Sequence, residues 1–144
     1  MRRVQCVLLA VLSLGLAAWA GAQSGAPALA PLQGRWVVAA AEHNARPLDA
    51  IKGGVMTVTG EAFEIRTASG NMLRGTLTLD ASKKPAQMDL LHADGAKWEA
   101  IYEVTGPSFR LNYVEAGGKD QRPSAFSTSE KTEESLITLQ RDAR

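Results

Sequence analysis

Several residue types that often indicate a function directly are scarce in this sequence. Among its 144 residues there is one cysteine, Cys6, and there are two histidines, His43 and His92. Because Cys6 lies in the N-terminal stretch, the rest of the chain has neither a disulfide nor a thiol nucleophile. The two histidines have no further ligands at zinc-site spacing, so we expect no metal site. Both histidines are expected to be solvated residues at strand ends or turns.

An excess of charge of one sign is also absent. The net charge is +1 and no basic patch stands out, so neither nucleic acid nor an anionic membrane surface is an expected partner. The chain has no G-x-S-x-G elbow and no phosphate-binding glycine pattern. Glu99 and Glu103 would share a strand face about 13 Å apart, which is too far for a retaining pair of carboxylates. We therefore expect a protein that is not an enzyme and that uses no cofactor.

The sequence also lacks an apolar run long enough for an ordinary membrane helix. Arg2 and Arg3 precede an apolar run at positions 7–18, which is shorter than the roughly 20 residues a span requires. Small residues at 18, 20 and 22 form two cleavage patterns. The pattern predicts a signal peptide over residues 1–22 and a periplasmic or extracellular protein with no membrane span after its removal. An uncleaved membrane anchor is the alternative. Cleavage would remove two arginines and no acid, which leaves a net charge of about −1.

The region after the expected cleavage site divides into two parts. Residues 23–31 are small and proline-containing, which predicts a flexible leader. Residues 32–142 are expected to form one domain, and most of that region has the alternating pattern of strands. Only residues 45–53 suggest a helical turn, and 115–133 form a long polar loop.

The strand pattern predicts the fold class. About eight strands follow one another, most of them joined by short turns such as Gly60-Glu61 and Gly106-Pro107. Regular spacing of this kind is typical of an antiparallel sandwich or an up-and-down β-barrel. An eight-stranded barrel is either filled by its own side chains or holds one small ligand.

Aromatic residues are few, at 6% of the chain, but they alternate along the predicted strands. Their spacing places them on inward faces, where they either fill the barrel or line a pocket for a small apolar ligand. The candidate lining residues are Phe63, Trp98, Tyr102, Phe109 and Tyr113.

Residues 32–142 resemble the small lipocalin-like domain of exported proteins from planctomycete-type bacteria, a family with no established function. The segments that carry the resemblance are LQGRWVV (32–38), RPLD (46–49), FEI (63–65), GTLTLDASKKPAQMDL (75–90), AIYEV (100–104), FRLNY (109–113) and RPSAF (122–126). The resemblance implies an all-β, lipocalin-like barrel that begins with the Gly34-x-Trp36 strand. It further implies that Trp36 closes one end of the barrel and that Arg141 packs across it. The disulfide and the other signatures of lipocalins are absent from this chain.

Two functions remain open on the sequence. The first is an exported binding protein that holds a small apolar or amphipathic ligand in the barrel. The alternative is a structural or protein-interaction module of the cell envelope, with a filled barrel and the long loop as its working surface.

Overall fold

The computed structural model describes residues 26–143, so the predicted signal peptide lies outside the described residues. Nine β-strands make up most of this region. They are β1 (Gly34–His43), β2 (Arg46–Pro47), β3 (Val55–Thr59), β4 (Ala62–Arg66), β5 (Met72–Asp80), β6 (Ala86–His92), β7 (Lys97–Thr105), β8 (Ser108–Glu115) and β9 (Ser135–Arg141). The helical elements are short: α1 (Ala26–Leu29) and two 3-10 turns, Ala30–Leu32 and Asp49–Ile51. Within residues 26–143, no helix has the length and apolar character needed to cross a membrane.

Eight of the strands close into an antiparallel up-and-down barrel, as the sequence predicts. Each long strand pairs with the next along the chain, and β1 pairs with both β3 and β9, which closes the sheet. The two-residue strand β2 extends the edge of β1 through a hairpin at Asn44-Ala45, where both residues have positive φ. Gly60 has φ +60 in the tight turn between β3 and β4, a conformation that glycine adopts without strain.

The side chains of each strand alternate between the two faces of the sheet, and those that point inward form the core. The inward residue of each pair is buried and the outward residue is largely exposed, as expected for a sheet that is solvated on one face. The interior of the barrel is occupied by a contiguous cluster of buried apolar side chains that includes Trp36, Met56, Val58, Phe63, Leu77, Leu79, Met88, Leu90, Ala100, Phe109, Leu111, Ile137 and Leu139.

The expected flexible leader, residues 23–31, is corrected over its described part, residues 26–31; the rest of it lies outside the described residues. From Ala26 onward the chain is helical, and Leu29 and Leu32 are 4% and 0% exposed within the barrel core. Burial of these two side chains removes apolar surface from water, which stabilises this segment on the barrel. The ordered domain therefore begins before Leu32.

The long polar stretch, residues 116–134, lies across the outer face of β7 and β8. Beneath it the outward residues Ile101, Asn112 and Val114 are buried. The Asn112 amide donates hydrogen bonds to the carbonyls of Ala125 and Ser127, at 2.7 and 3.1 Å. This stretch is thus a packed cover on the barrel, which we call the cover segment.

Candidate ligand site at the open end of the barrel

One end of the barrel is closed by a compact group of side chains. Trp36 is fully buried, and its indole nitrogen donates to the Leu32 carbonyl at 2.8 Å. The Arg141 guanidinium carbon lies 4.2 Å from the centroid of the Trp36 ring. Arg141 also donates to the carbonyls of Gln33 and Pro31, each at 2.8 Å. The N-terminal residues and the last strand are therefore joined at what we call the closed end.

The five candidate lining residues separate into two groups along the barrel axis. Phe63, Trp98 and Tyr113 lie towards the opposite, open end. Phe109 packs edge-on against Trp36, with centroids 5.3 Å apart, in the core of the closed end. Tyr102 is also near the closed end. Trp98 and Tyr102 are four residues apart on one strand, a separation of about 13 Å, which explains why they share a face but not a site.

His92 completes a row of aromatic rings at the open end. Its ring centroid lies 5.3 Å from that of Phe63 and 4.3 Å from that of Trp98. Trp98 in turn stacks on Tyr113, with centroids 4.1 Å apart and planes inclined by 12°. Gly75 makes room for this row, since a Cβ there would meet the Leu91 carbonyl and the Phe63 ring. Such pairs stabilise a core beyond the area they bury.

The expectation that His92 is a solvated turn residue is wrong. It is the last residue of β6, points inward two positions after Leu90, and is 6% exposed. Its Nε2 atom has no hydrogen-bond partner among the residues the structure describes. Burial lowers the pKa of His92, against the smaller opposing effects of Asp94 and Glu115. Met88 and Leu90 point inward, and the alternation of side chains along β6 continues to His92. This alternation is the sequence signal that the histidine also points inward.

A chain of polar side chains crosses the mouth of the barrel beside Tyr113. Tyr113 lies opposite Ser135 in the pairing of β8 with β9, and the Ser135 Oγ is 2.9 Å from His43 Nδ1. His43 Nε2 lies 3.4 Å from the Glu133 carboxylate of the cover segment. Burial raises the pKa of Tyr113, so its hydroxyl stays protonated and able to donate at neutral pH. His43, expected as a solvated residue, is instead a half-buried member of this chain of polar groups.

Two cavities flank the aromatic row at the open end. The first has a volume of about 310 Å³ and lies beside His92, Leu73 and the exposed Met72. The second, of about 340 Å³, lies under the cover segment; we call it the mouth cavity. It is lined by His43, Tyr113, Val114, Glu115, Gly118, Lys119, Asp120, Glu133 and Ser135. Both volumes lie at the lower end of the range for small-molecule sites.

Acidic and histidine side chains are not gathered for metal binding in the described region. No group of three or more histidine, cysteine, aspartate or glutamate residues within positions 26–143 is placed to hold a metal ion. The polar residues of the mouth cavity therefore offer hydrogen bonds and charges to a ligand, by way of hydroxyl, imidazole, ammonium and carboxylate groups.

No family model matches the chain, and no curated protein matches it. Among solved structures, the chain is similar to one described as a "De novo design of a fluorescence-activating beta barrel", with 16% sequence identity and a TM-score of 0.46. The match covers 80% of this chain and 97% of the designed one.

Proposed function

We propose that this protein binds a small amphipathic molecule at the open end of its barrel, in the mouth cavity. The observation that carries the proposal is the two-sided lining of that cavity. The Tyr113 ring offers apolar surface, while Ser135, His43, Lys119 and the carboxylates of Glu115, Asp120 and Glu133 offer hydrogen bonds and charge. A ligand with an apolar body and a polar group matches both sides. The interior nearer the closed end is occupied by the protein's own side chains.

Trp98 provides a direct test, because its ring stacks on Tyr113, which lines the mouth cavity. Titration of the purified protein with uncharged amphiphiles and apolar dyes should give a saturable change in tryptophan emission. Trp98→Phe should abolish that change, although Trp36 still emits from the closed end, where it is fully buried. Tyr113→Phe, which removes only the hydroxyl, should weaken binding. An absence of saturable change across the panel, or an equal change in Trp98→Phe, would refute the proposal.

The wider setting of this function is also a proposal. The N-terminal pattern of residues 1–22 supports export to the periplasm or beyond. The segments quoted above support membership of the lipocalin-like family of exported, planctomycete-type proteins. Processing can be tested by N-terminal sequencing of the exported protein, since an intact Met1 would contradict cleavage after Ala22.

A protein-interaction role is the second candidate, and the fixed position of the cover segment favours it. Arg122 donates to the carbonyls of Met88 and Ala100 and pairs with Asp89 at 2.6 Å. A segment anchored in this way presents a preformed surface to a partner. Pull-down from an envelope extract tests it. Partners retained after substitution of the exposed Gln121, Ser124 and Glu130 would argue against this role.

A further inference from the structure

The largest of the cavities described here lies at the other end of the barrel. It has a volume of about 720 Å³ and is formed where the N-terminal residues meet the β5–β6 connection and the end of β7. We call it the closed-end groove. Its principal lining residues are Leu32, Tyr102, Val104, Phe126, Lys83 and Lys84. The groove is separated from the mouth cavity by the packed core, so it is a second and independent site.

The floor and the rim of the closed-end groove differ in character. The floor is apolar, with Leu32 and Val104 beside the aromatic rings of Tyr102 and Phe126. Lys83 and Lys84 are both exposed at the rim, and neither forms an ion pair with any residue in the described part of the chain. Two ammonium groups without carboxylate partners over an apolar floor leave positive charge available to a ligand.

The acidic residues near the groove do not cancel this charge. Glu103 pairs with Arg110 at 2.7 Å, so it is compensated. Asp80 accepts hydrogen bonds from Ser82, which lowers its pKa most, and the charge of Lys83 lowers it further. Asp80 interacts with the charge of Lys83 and Glu103 is paired with Arg110, so the charge of Lys84 leaves the rim with a net positive charge. Tyr102 adds a hydroxyl that burial keeps protonated by raising its pKa.

We propose that the closed-end groove binds a small amphipathic anion, a molecule with one carboxylate or similar group and a short apolar chain. The anionic group contacts Lys83 and Lys84 at the rim, and the chain lies along Val104 and Phe126. Tyr102 also lines the groove, and we assign its hydroxyl as a hydrogen-bond donor to the anionic group. This site does not depend on ligand binding in the mouth cavity.

Titration calorimetry with laurate, below its micelle concentration, tests the proposal on the full chain. Laurate should bind, its affinity should fall with added salt, and dodecyltrimethylammonium should not bind to the same site. The double variant Lys83→Gln/Lys84→Gln should weaken laurate binding by about tenfold, since two exposed ion pairs each strengthen binding several-fold. Tyr102→Phe should weaken it further without affecting the fold.

The matched control is Lys52→Gln/Lys131→Gln, which removes the same charge from two exposed positions that line neither cavity. It should leave laurate affinity unchanged, as should Trp98→Phe, which alters the open end. Circular dichroism checks that each variant is folded. Equal affinity for laurate and the cationic amphiphile, or unchanged affinity in the Lys83/Lys84 variant, would overturn the proposal. Loss of binding in Trp98→Phe alone would place laurate in the mouth cavity and overturn it as well.

Discussion

Arg141 lies over the indole ring of Trp36, with its guanidinium carbon 4.2 Å from the ring centroid, and so joins the last strand of the barrel to the first. The same guanidinium donates to two carbonyls that precede the first strand. Gly34 belongs to this group, since its φ is +105 and a Cβ there would lie 3.3 Å from Arg141 Nη1. Gly34, Trp36 and Arg141 therefore form one structural unit that closes the barrel.

Arg141→Lys should destabilise the protein although the charge is kept. Lysine cannot stack a planar group on Trp36 while donating to both Gln33 and Pro31. We expect a loss of about 1–2 kcal/mol in the free energy of unfolding, from one weakened cation–π contact and one lost hydrogen bond. Urea unfolding measures it. Arg66→Lys, at an exposed position of β4, is the matched control and should change stability little. Equal stability of the two variants would contradict a closing role for Arg141.

Trp36→Ala should have a larger effect, because it removes the largest fully buried side chain of the closed end. The expected loss is about 3–5 kcal/mol, as for other buried aromatic truncations. Thermal unfolding and urea unfolding both report it. Trp98→Ala should cost less, since Trp98 remains partly exposed at the open end. If Trp98→Ala proved the more damaging change, the closed end would contribute less to the fold than its burial suggests.

The fold can be predicted from the sequence because alternation and turn residues are local signals. A period of two assigns each side chain to a face and predicts an antiparallel all-β fold, while the choice of a barrel over a sandwich depends on the resemblance to the lipocalin-like domain. This period does not give the position of a residue along the barrel axis. The sequence therefore groups Tyr102 and Phe109 with Phe63, Trp98 and Tyr113, which lie at the other end. The position along the axis depends on the stagger of neighbouring strands, and the strand register shows that stagger. In this register Tyr102 is opposite Leu111, whereas Trp98 is opposite Glu115.

Two further features have only a weak signal in the sequence because they depend on tertiary contacts. His92 has the sequence context of a turn residue, since Ala93-Asp94-Gly95 follows it, yet its ring is buried between Phe63 and Trp98. The cover segment has the composition of a free loop because it is polar. Ile101 on β7 and Val114 on β8 are apolar residues on the outward face, and they are the available signs that something covers it.

The buried imidazole of His92 should make stability depend on pH. Burial lowers its pKa below the ordinary value of 6.5, so in the window below 6.5 the unfolded chain binds more protons at this site than the folded chain. The free energy of unfolding should therefore fall as the pH falls through that window, by at most about 1.4 kcal/mol per pH unit. Replacing His92 with phenylalanine keeps an aromatic ring and should flatten this part of the profile. The measurement is urea unfolding at a series of pH values.

His43→Gln is the control for that experiment. His43 is a half-buried residue at the mouth, so its replacement should leave the contribution of His92 intact. The free energy of unfolding would be plotted against pH for His92→Phe and for the unaltered protein. If the two curves run parallel below pH 6.5, His92 is not the group that titrates.

Arg122 should determine whether the cover segment stays on the barrel. It makes three short contacts with β6 and β7: to Met88 O at 3.1 Å, to Ala100 O at 2.8 Å and to Asp89 Oδ1 at 2.6 Å. Arg122→Met leaves Asp89 without this partner, and we expect a loss of about 1–3 kcal/mol in the free energy of unfolding. Limited proteolysis should then cut within residues 116–134 sooner than in the unaltered protein, because a detached segment is accessible to protease. Lys131→Met, an exposed change in the same segment, should not alter the rate of cutting. If both variants resist protease equally, the contacts of Asn112 with Ala125 and Ser127 hold the segment without Arg122.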